Sequence, residues 1–529
     1  MEHIKKLKNI RRKEYIPEKV HQRRWKILAV LCLSLLIVMV GNTSLNVALP
    51  TLSAELHATS AQLQWLVDSY SLIFAGFLFM AGAIGDRFGR KGILQSGLLL
   101  FAGSVLYASF GVDTANQLIA ARAVMGLAGA MIMPATLSIL TNVFPPQERA
   151  KAVALWAGVS GGGTAFGPLL SGFVLEHYSW HAVFLLNVPL IIIALLVGAV
   201  LIPRTSDPNH TKLDIPGSLL SAAGLVAIVY ALIEAPVNGW LTVKTMGVLV
   251  AGVIILAVFA WWQLRAKHPM LDVRLFKRPA FGVSSTVLVL VFFALMGMFF
   301  NMSLLLQLVY AYSPLEAAVR MLPMSFAIVV ASVLSPRLVE RFGKRRVVAA
   351  GMLIVAIGVA VLSTLSVEPM YGRLVLSMCI AAFGMGIAMS PTTDLLMSSV
   401  PRSRAGMGSA MNDTTRELGG SLGIAVLGSI LASRYSSRIA EIVAPLPEAA
   451  RVAAENSLAG ALAVAKHIPG TAGALLAEAA KSAWMDGFRL SLLTGAVIIA
   501  CSAAIAYKWL PDVADDVIPE EGLIEDGQE

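Results

Sequence analysis

The sequence predicts an all-α polytopic membrane protein built from two related six-helix lobes with two extra helices between them, about fourteen transmembrane helices in all. Three observations carry that prediction. First, the 529 residues are 57 % hydrophobic and only 14 % charged, with mean hydropathy +0.75, whereas a soluble chain carries about 25 % charged residues. Second, apolar stretches of roughly 20 residues recur throughout, each long enough to cross ~30 Å of hydrocarbon as a helix. Third, Asp86-Arg87-Phe88-Gly89-Arg90-Lys91 returns about 254 residues later as Glu340-Arg341-Phe342-Gly343-Lys344-Arg345. Pro134, Pro145 and Arg149-Ala150 return as Pro391, Pro401 and Arg404-Ala405 at an offset of about 255–257, so a whole half is duplicated.

A basic tail, residues 1–25, precedes the first apolar run, which reaches about Ala48. That run is longer than the core of a cleaved signal peptide and stays as the first span. Further spans begin near residues 62, 91, 117, 150 and 181 and complete an N-terminal lobe over 26–202. Two additional helices, beginning near 216 and 245, lie in a linker over 203–280; their length and low charge argue for spanning over interfacial segments. The C-terminal lobe, 281–510, has starts near 281, 316, 347, 372, 405 and 485. It contains an Ala-rich external connection, 434–484, whose pattern suggests short amphipathic helices over the mouth of the protein, as a lid or as a passive loop. An acidic cytoplasmic tail, 511–529, ends the chain.

Charge sets the orientation. Alternate connections carry Arg87, Arg90 and Lys91, then Arg149 and Lys151, Arg265 and Lys267, Arg337, Arg341 and Lys344, and Arg402 and Arg404. The intervening ones near Glu55, Asp113, Glu176, Asn238 and Ser313 carry almost none. By the positive-inside rule the basic side and both termini are cytoplasmic, in a multi-pass protein of the cytoplasmic (inner) membrane. The net charge of +9 is thereby a topology signal and calls for no nucleic acid. Cys32, Cys379 and Cys501 lie in separate apolar segments without metal spacing. The sequence has no phosphate-binding Gly-x-x-x-x-Gly-Lys-Ser/Thr loop, metal-spaced His/Cys set or nucleophile elbow, which argues against ATP use and against an enzyme.

Several stretches resemble one family. Gly82-x-x-x-Asp86-Arg87-x-Gly89-Arg90-Lys91 resembles the loop signature after the second helix of the major facilitator superfamily. Gly163-x-x-x-Gly167-Pro168-x-x-Ser171-Gly172 is similar to the fifth-helix signature of its antiporters. Asn46-Val-Ala-Leu-Pro50, Trp65-Leu-Val-Asp68-x-Tyr70, Phe184-Leu-Leu-Asn187-Val-Pro189 and Asn412-Asp413-Thr-Thr-Arg416-Glu417-Leu-Gly419-Gly420 resemble its fourteen-helix drug:proton antiporter branch, of the multidrug, quaternary ammonium and methyl viologen resistance type. The resemblance covers about residues 25–510 and implies a major facilitator fold. It also implies export of amphipathic, often cationic, drug-like compounds by alternating access, driven by the proton gradient without a cofactor, from a monomer in the lipid bilayer. A dedicated exporter of an endogenous metabolite or lipid, and a non-transporting membrane sensor, are the alternative readings.

The resemblance also assigns roles. Gly82, Asp86, Arg87, Gly89 and Arg90 would form a conformational latch, or equally solvated loop charges; Glu340 and Arg341 would be its weaker counterpart, because Pro336 replaces the leading Gly. Gly163 and Gly167 share one helix face, so a neighbouring helix can pack backbone to backbone, and Pro168 bends the helix. With Gly172, and with Gly419 and Gly423 in the second half, they are candidates for a gating seam or for ordinary tight packing. Asp68, Arg122, Asp394, Asp413, Arg416 and Glu417 are charges inside apolar runs, where a functional interior role is the default. Asp68, about six residues from the outer end of its helix, could alternate between proton and cationic drug, with Arg122 at similar depth as its possible partner. Asp394 and Asp413 are further coupling candidates, although Asp413, Arg416 and Glu417 on one helix face could simply neutralise each other. Many relatives in the branch have an Asp where this chain has Gly41, which moves the expectation to Asp68. Met296, Met298, Phe299, Phe300 and Met302 suit loosely specified substrates or a lipid-facing stripe.

Overall fold

Among the described residues of the computed structural model, thirteen helices are long and apolar enough to cross a membrane. A fourteenth, Pro146–His177, matches them in length, its run of Gly, Ser and Thr making it less apolar. The structure describes residues 18–205, 213–400 and 405–512. The expected tails up to residue 17 and from 513, together with Arg402 and Arg404, lie outside the described residues.

The first bundle contains α1 (Glu18–Glu55), α2 (Ser60–Phe88), α3 (Arg90–Phe110), α4 (Ala115–Val143), α5 (Pro146–His177) and α6 (His181–Leu201). Two helices follow, α7 (Ile215–Asn238) and α8 (Val243–Arg265). The second bundle contains α9 (Pro279–Val309), α10 (Pro314–Phe342), α11 (Lys344–Leu362), α12 (Tyr371–Ser398), α13 (Ala405–Val443) and α14 (Thr471–Trp509). In both bundles the first helix packs on the fifth, α1 on α5 and α9 on α13, as a duplication requires. The helix α7 pairs with α8 and lies against both α2 and α13, so the inserted hairpin covers the junction of the bundles.

Local chemistry explains the ends. Thr59, Thr114 and Ser313 cap α2, α4 and α10, each in return donating its backbone N–H to the side-chain oxygen of Gln62, Gln117 or Glu316. The repeated Arg-Phe-Gly motif supplies the turns at the other end of α2 and α10. There Gly89 (φ 117°) and Gly343 (φ 82°) adopt a backbone that side chains resist.

Two expectations need correction. The helix α1 starts at Glu18, so part of the expected basic tail is already helical. The long connection is shorter than 434–484, because α13 runs to Val443 and α14 begins at Thr471, well before residue 485. Alanine favours helix strongly enough to extend both elements. Between them lie two short helices, Glu448–Asn456 and Leu458–His467.

The bundles meet at the end that carries few basic residues. Ser303 Oγ donates to Asn46 O (2.5 Å) and Gln307 Nε2 to Val47 O (2.9 Å). Ser429 Oγ donates to Gln64 Oε1 (3.2 Å), and Ser313 bonds Glu176. No hydrogen bond joins α1–α6 to α9–α14 at the basic end among the described residues.

Candidate functional site at the α2–α13 seam

Asp68 sits about two turns, ~12 Å, inside the start of α2 and is fully buried. Neither carboxylate oxygen has a hydrogen-bond partner, although a buried charge without one costs several kcal/mol (~). It faces α13, where Ser421, also buried without a partner, and Glu417 are its polar neighbours. Glu417 in turn faces Ser71, one turn further along α2. Two carboxyls and two hydroxyls from the two bundles therefore meet in one water-poor seam, an arrangement able to hold and release a proton or a cation.

Arg122 on α4 is also fully buried, but it is not the partner of Asp68 that matching depth suggested. Its Nε donates to Leu66 O (3.0 Å) and its Nη1 to Gly41 O (2.7 Å), while its guanidinium lies 4.5 Å from the Tyr70 ring centre. The reason is helix geometry. Leu66 and Tyr70 share the α2 face that meets α4, whereas Asp68, two residues from each, points the other way. Gly126 brings α4 against the Tyr70 backbone, leaving no room to turn α2. A Cβ at Gly41 would lie 2.7 Å from Phe101 Cζ, so the ring occupies the space an acid would need.

The remaining charges divide differently from expectation. Asp413 and Arg416 approach only to 3.9 Å, and the Arg416 guanidinium rests 4.9 Å from the Phe292 ring centre. Asp394 lies about one turn from the basic end of α12, where its side chain is 63 % exposed and pairs with Lys344 Nζ at 2.6 Å. The apolar run simply continues past it to the end of the helix. In the first half, Arg90 Nε binds Asp86 Oδ1 at 2.7 Å across the Gly89 turn, and Arg87 stacks on Phe88. The expected counterpart differs. Glu340 has no hydrogen-bond or ion-pair partner among the described residues and Arg341 lies over Phe342, so the second-half ion pair is Lys344–Asp394. Gly82 lies opposite Pro134 of α4.

The glycines mark close helix crossings in both bundles. A Cβ on Gly163 would lie 2.7 Å from Met39 Cβ, and one on Gly167 would strike Thr43 Oγ1, both on α1. On α13, Gly419 and Gly423 would strike the carbonyls of Val289 and Phe293 on α9. Gly172 differs: it touches Leu315 and Pro314 of α10, across the junction of the bundles. Pro168 lies inside α5 beside these contacts. Met298, Phe300 and Met302 are buried, and Met296 and Phe299 partly so; a lipid-facing stripe does not describe them.

Sequence reasoning noticed Glu417 but grouped it with its own helix, and it passed over Ser71 and Ser421. Hydroxyls inside apolar runs were the available signal, but which helix they face is a tertiary fact.

The sequence profile of the Major Facilitator Superfamily matches residues 31–424. The multidrug efflux pump LfrA of Mycolicibacterium smegmatis is 34 % identical over 91 % of this chain and 95 % of its own length. The methyl viologen resistance protein SmvA of Salmonella typhimurium is 32 % identical over 89 % and 95 %. In fold, the chain is similar to the crystal structure of a bacterial homolog of the human lysosomal transporter Spinster, in its inward-facing and unoccupied conformation. That likeness has a TM-score of 0.64 at 18 % identity and covers 92 % of this chain and 96 % of the other.

Proposed function

The chain belongs to the major facilitator superfamily, and we propose that it is a proton-coupled efflux transporter that exports amphipathic, often cationic, toxic compounds. The observation that carries the proton step is Asp68, a fully buried carboxyl without a hydrogen bond, facing Glu417 on the opposite bundle. Such a pair binds a proton in one arrangement of the bundles and yields it in another, because separating α2 from α13 admits water to both carboxyls.

The sparsely basic end is external in this reading and the basic end cytoplasmic, in the cytoplasmic membrane with both termini inside. The hydrogen bonds between the bundles at the external end then hold that side shut, and cycling requires them to break. Close glycine crossings let α5 and α13 move against α1 and α9 as rigid units. Buried methionines on α9 adapt to substrates of varied shape. The carrier works as a monomer in this reading, with the proton gradient as its energy source.

Inverted membrane vesicles containing the protein test this directly. Ethidium should accumulate when a proton gradient is imposed and be released by a protonophore. Accumulation that depends on ATP and survives the protonophore would overturn the proposal.

A further inference from the structure

A cavity of about 740 Å³ opens at the sparsely basic end, outside the seam. Its walls come from α2, α4, α7, α13 and the short helix Glu448–Asn456. Two of those walls, α7 and the short helix, lie outside the duplicated six-helix pattern, so the first half has no equivalent. Both walls are fastened. Tyr435 Oη of α13 donates to Ala454 O (2.8 Å), and Ser60 Oγ of α2 donates to Asn456 O (2.9 Å). Trp65 of α2 stands 6.0 Å from Tyr230 of α7, centre to centre.

The lining is of one electrical sign. Glu234 and Glu455 are its charged side chains, and neither has an ion-pair partner among the described residues. Trp65 supplies an aromatic surface, and Ile233 and Val237 an aliphatic one. The floor is Gln64, which is 1 % exposed and sits one turn outward of Asp68, bonded to Ser429. Anions are repelled by this wall. A bare metal ion is poorly served, because no group of three or more metal-ligating side chains occurs among the described residues. A flat or bulky organic cation fits all of it: carboxylates for charge, an indole for cation–π contact and apolar walls for its body.

We infer that this cavity is an external binding site for amphipathic organic cations, separated from the Asp68 seam by the Gln64–Ser429 bond. The inference rests on the export reading for its orientation and its substrate class. An exported cation that has passed the seam meets this cavity next. A cation arriving from the outer leaflet meets it first and holds the external contacts closed, so the same site acts as an exit station and as a brake.

The test is equilibrium binding of ethidium to the full-length protein in lipid nanodiscs, without a gradient, with neutral Nile red as the comparison. Glu234→Gln and Glu455→Gln should each weaken ethidium about three- to fivefold, as expected for partly exposed charge pairs, and the double variant more. Added salt should weaken wild-type binding and leave the double variant nearly unmoved. Nile red should bind all of them alike. In an Asp68→Asn background the part of ethidium binding that depends on Glu234 and Glu455 should persist; its disappearance there would assign the cation to the seam and overturn the inference. Unchanged ethidium affinity in the double variant, or equal loss of Nile red, would overturn it too. Charge-dependent ethidium binding in a protein that fails proton-driven export would support the site while removing the export reading.

Discussion

Arg122 Nη1 lies 2.7 Å from the carbonyl oxygen of Gly41, and this bond ties α4 to α1 at the depth where a buried charge most needs an acceptor. A second bond, from Nε to Leu66 O, ties α4 to α2, so one guanidinium fastens three helices. Lysine has a single ammonium and cannot reproduce that fork. Arg122→Lys should therefore lose at least one charge-assisted hydrogen bond, worth about 1.5–3 kcal/mol, and lower Tm in detergent. Gly41→Asp should also destabilise, and Phe101→Leu should relieve it by vacating the space the new side chain needs. An unchanged Tm for Arg122→Lys would mean that the fastening role is wrong.

The division between what was legible in the sequence and what was not follows one physical line. Repeats and apolar runs are local features, so the duplicated acid-Arg-Phe-Gly segment could be read directly, as could the succession of about fourteen spans. Asp68 stood out because a lone acid in an apolar run has few structural explanations. Pairing is not local. Depth placed Arg122 beside Asp68, but the rotation of α2 turns Asp68 toward α13 and presents Tyr70 to Arg122. Asp394 misled for another reason: the apolar run of α12 continues beyond it, hiding the end of the bundle where Lys344 waits.

Leucine at Gly167 or Gly423 should abolish export while leaving membrane insertion and a monodisperse detergent-solubilised protein. The side chain would enter Thr43 in one bundle and the Phe293 carbonyl in the other, forcing apart helices that touch through their backbones. Vesicle transport alongside size-exclusion profiles separates the two effects. Normal export by both inserted variants would rule out these crossings as a gating seam.

Two of the ion pairs at the basic end, Asp86–Arg90 and Lys344–Asp394, should behave alike. Asp86→Asn frees Arg90, and Lys344→Gln frees Asp394. Each pair is partly exposed, so each variant should slow turnover by up to about fivefold while leaving ethidium affinity unchanged. Asp394→Asn belongs with them and should keep protonophore-sensitive export. A loss of proton coupling in Asp394→Asn with normal turnover of Asp86→Asn would restore Asp394 to the coupling machinery.

Arg24 and Glu148 offer a pH test outside the membrane. Arg24 Nε and Nη2 bind the two Glu148 oxygens at 2.6 and 3.0 Å, joining the basic ends of α1 and α5. The bond from Arg24 holds the Glu148 carboxyl below its ordinary value of 4.5. A carboxyl depressed in the folded state contributes stability that is fully present above the ordinary value and is lost as pH falls through the folded one. Wild type should thus exceed Glu148→Gln by about 1–2 °C in Tm at neutral pH, a small gap for a solvent-screened pair. The gap should close as pH falls below 4.5. A gap independent of pH would mean that packing, not charge, joins these ends.

Asp68 and Glu417 carry the most consequential prediction. They face one another across the α2–α13 seam, with Ser71 and Ser421 beside them and Arg122 turned away to backbone carbonyls. Neither carboxyl has a cation among its hydrogen-bond partners; Arg416 and Arg122 act on Glu417 only through space, and in this reading a bound proton or a substrate cation completes the balance of charge. Proton and cation then compete for the same carboxyls, and the sign follows: raising the pH removes protons and strengthens cation binding. Ethidium binding to wild type should rise with pH, whereas Nile red binding should not. Asp68→Asn and Glu417→Gln should each reduce that rise, and the double variant should abolish it, together with proton-driven export. Gln and Asn keep the size of the side chains, so Nile red serves as the check on folding. Should the double variant retain the wild-type pH profile for ethidium, the competition lies elsewhere, and Asp413, on the same α13 face as Glu417, becomes the carboxyl to replace.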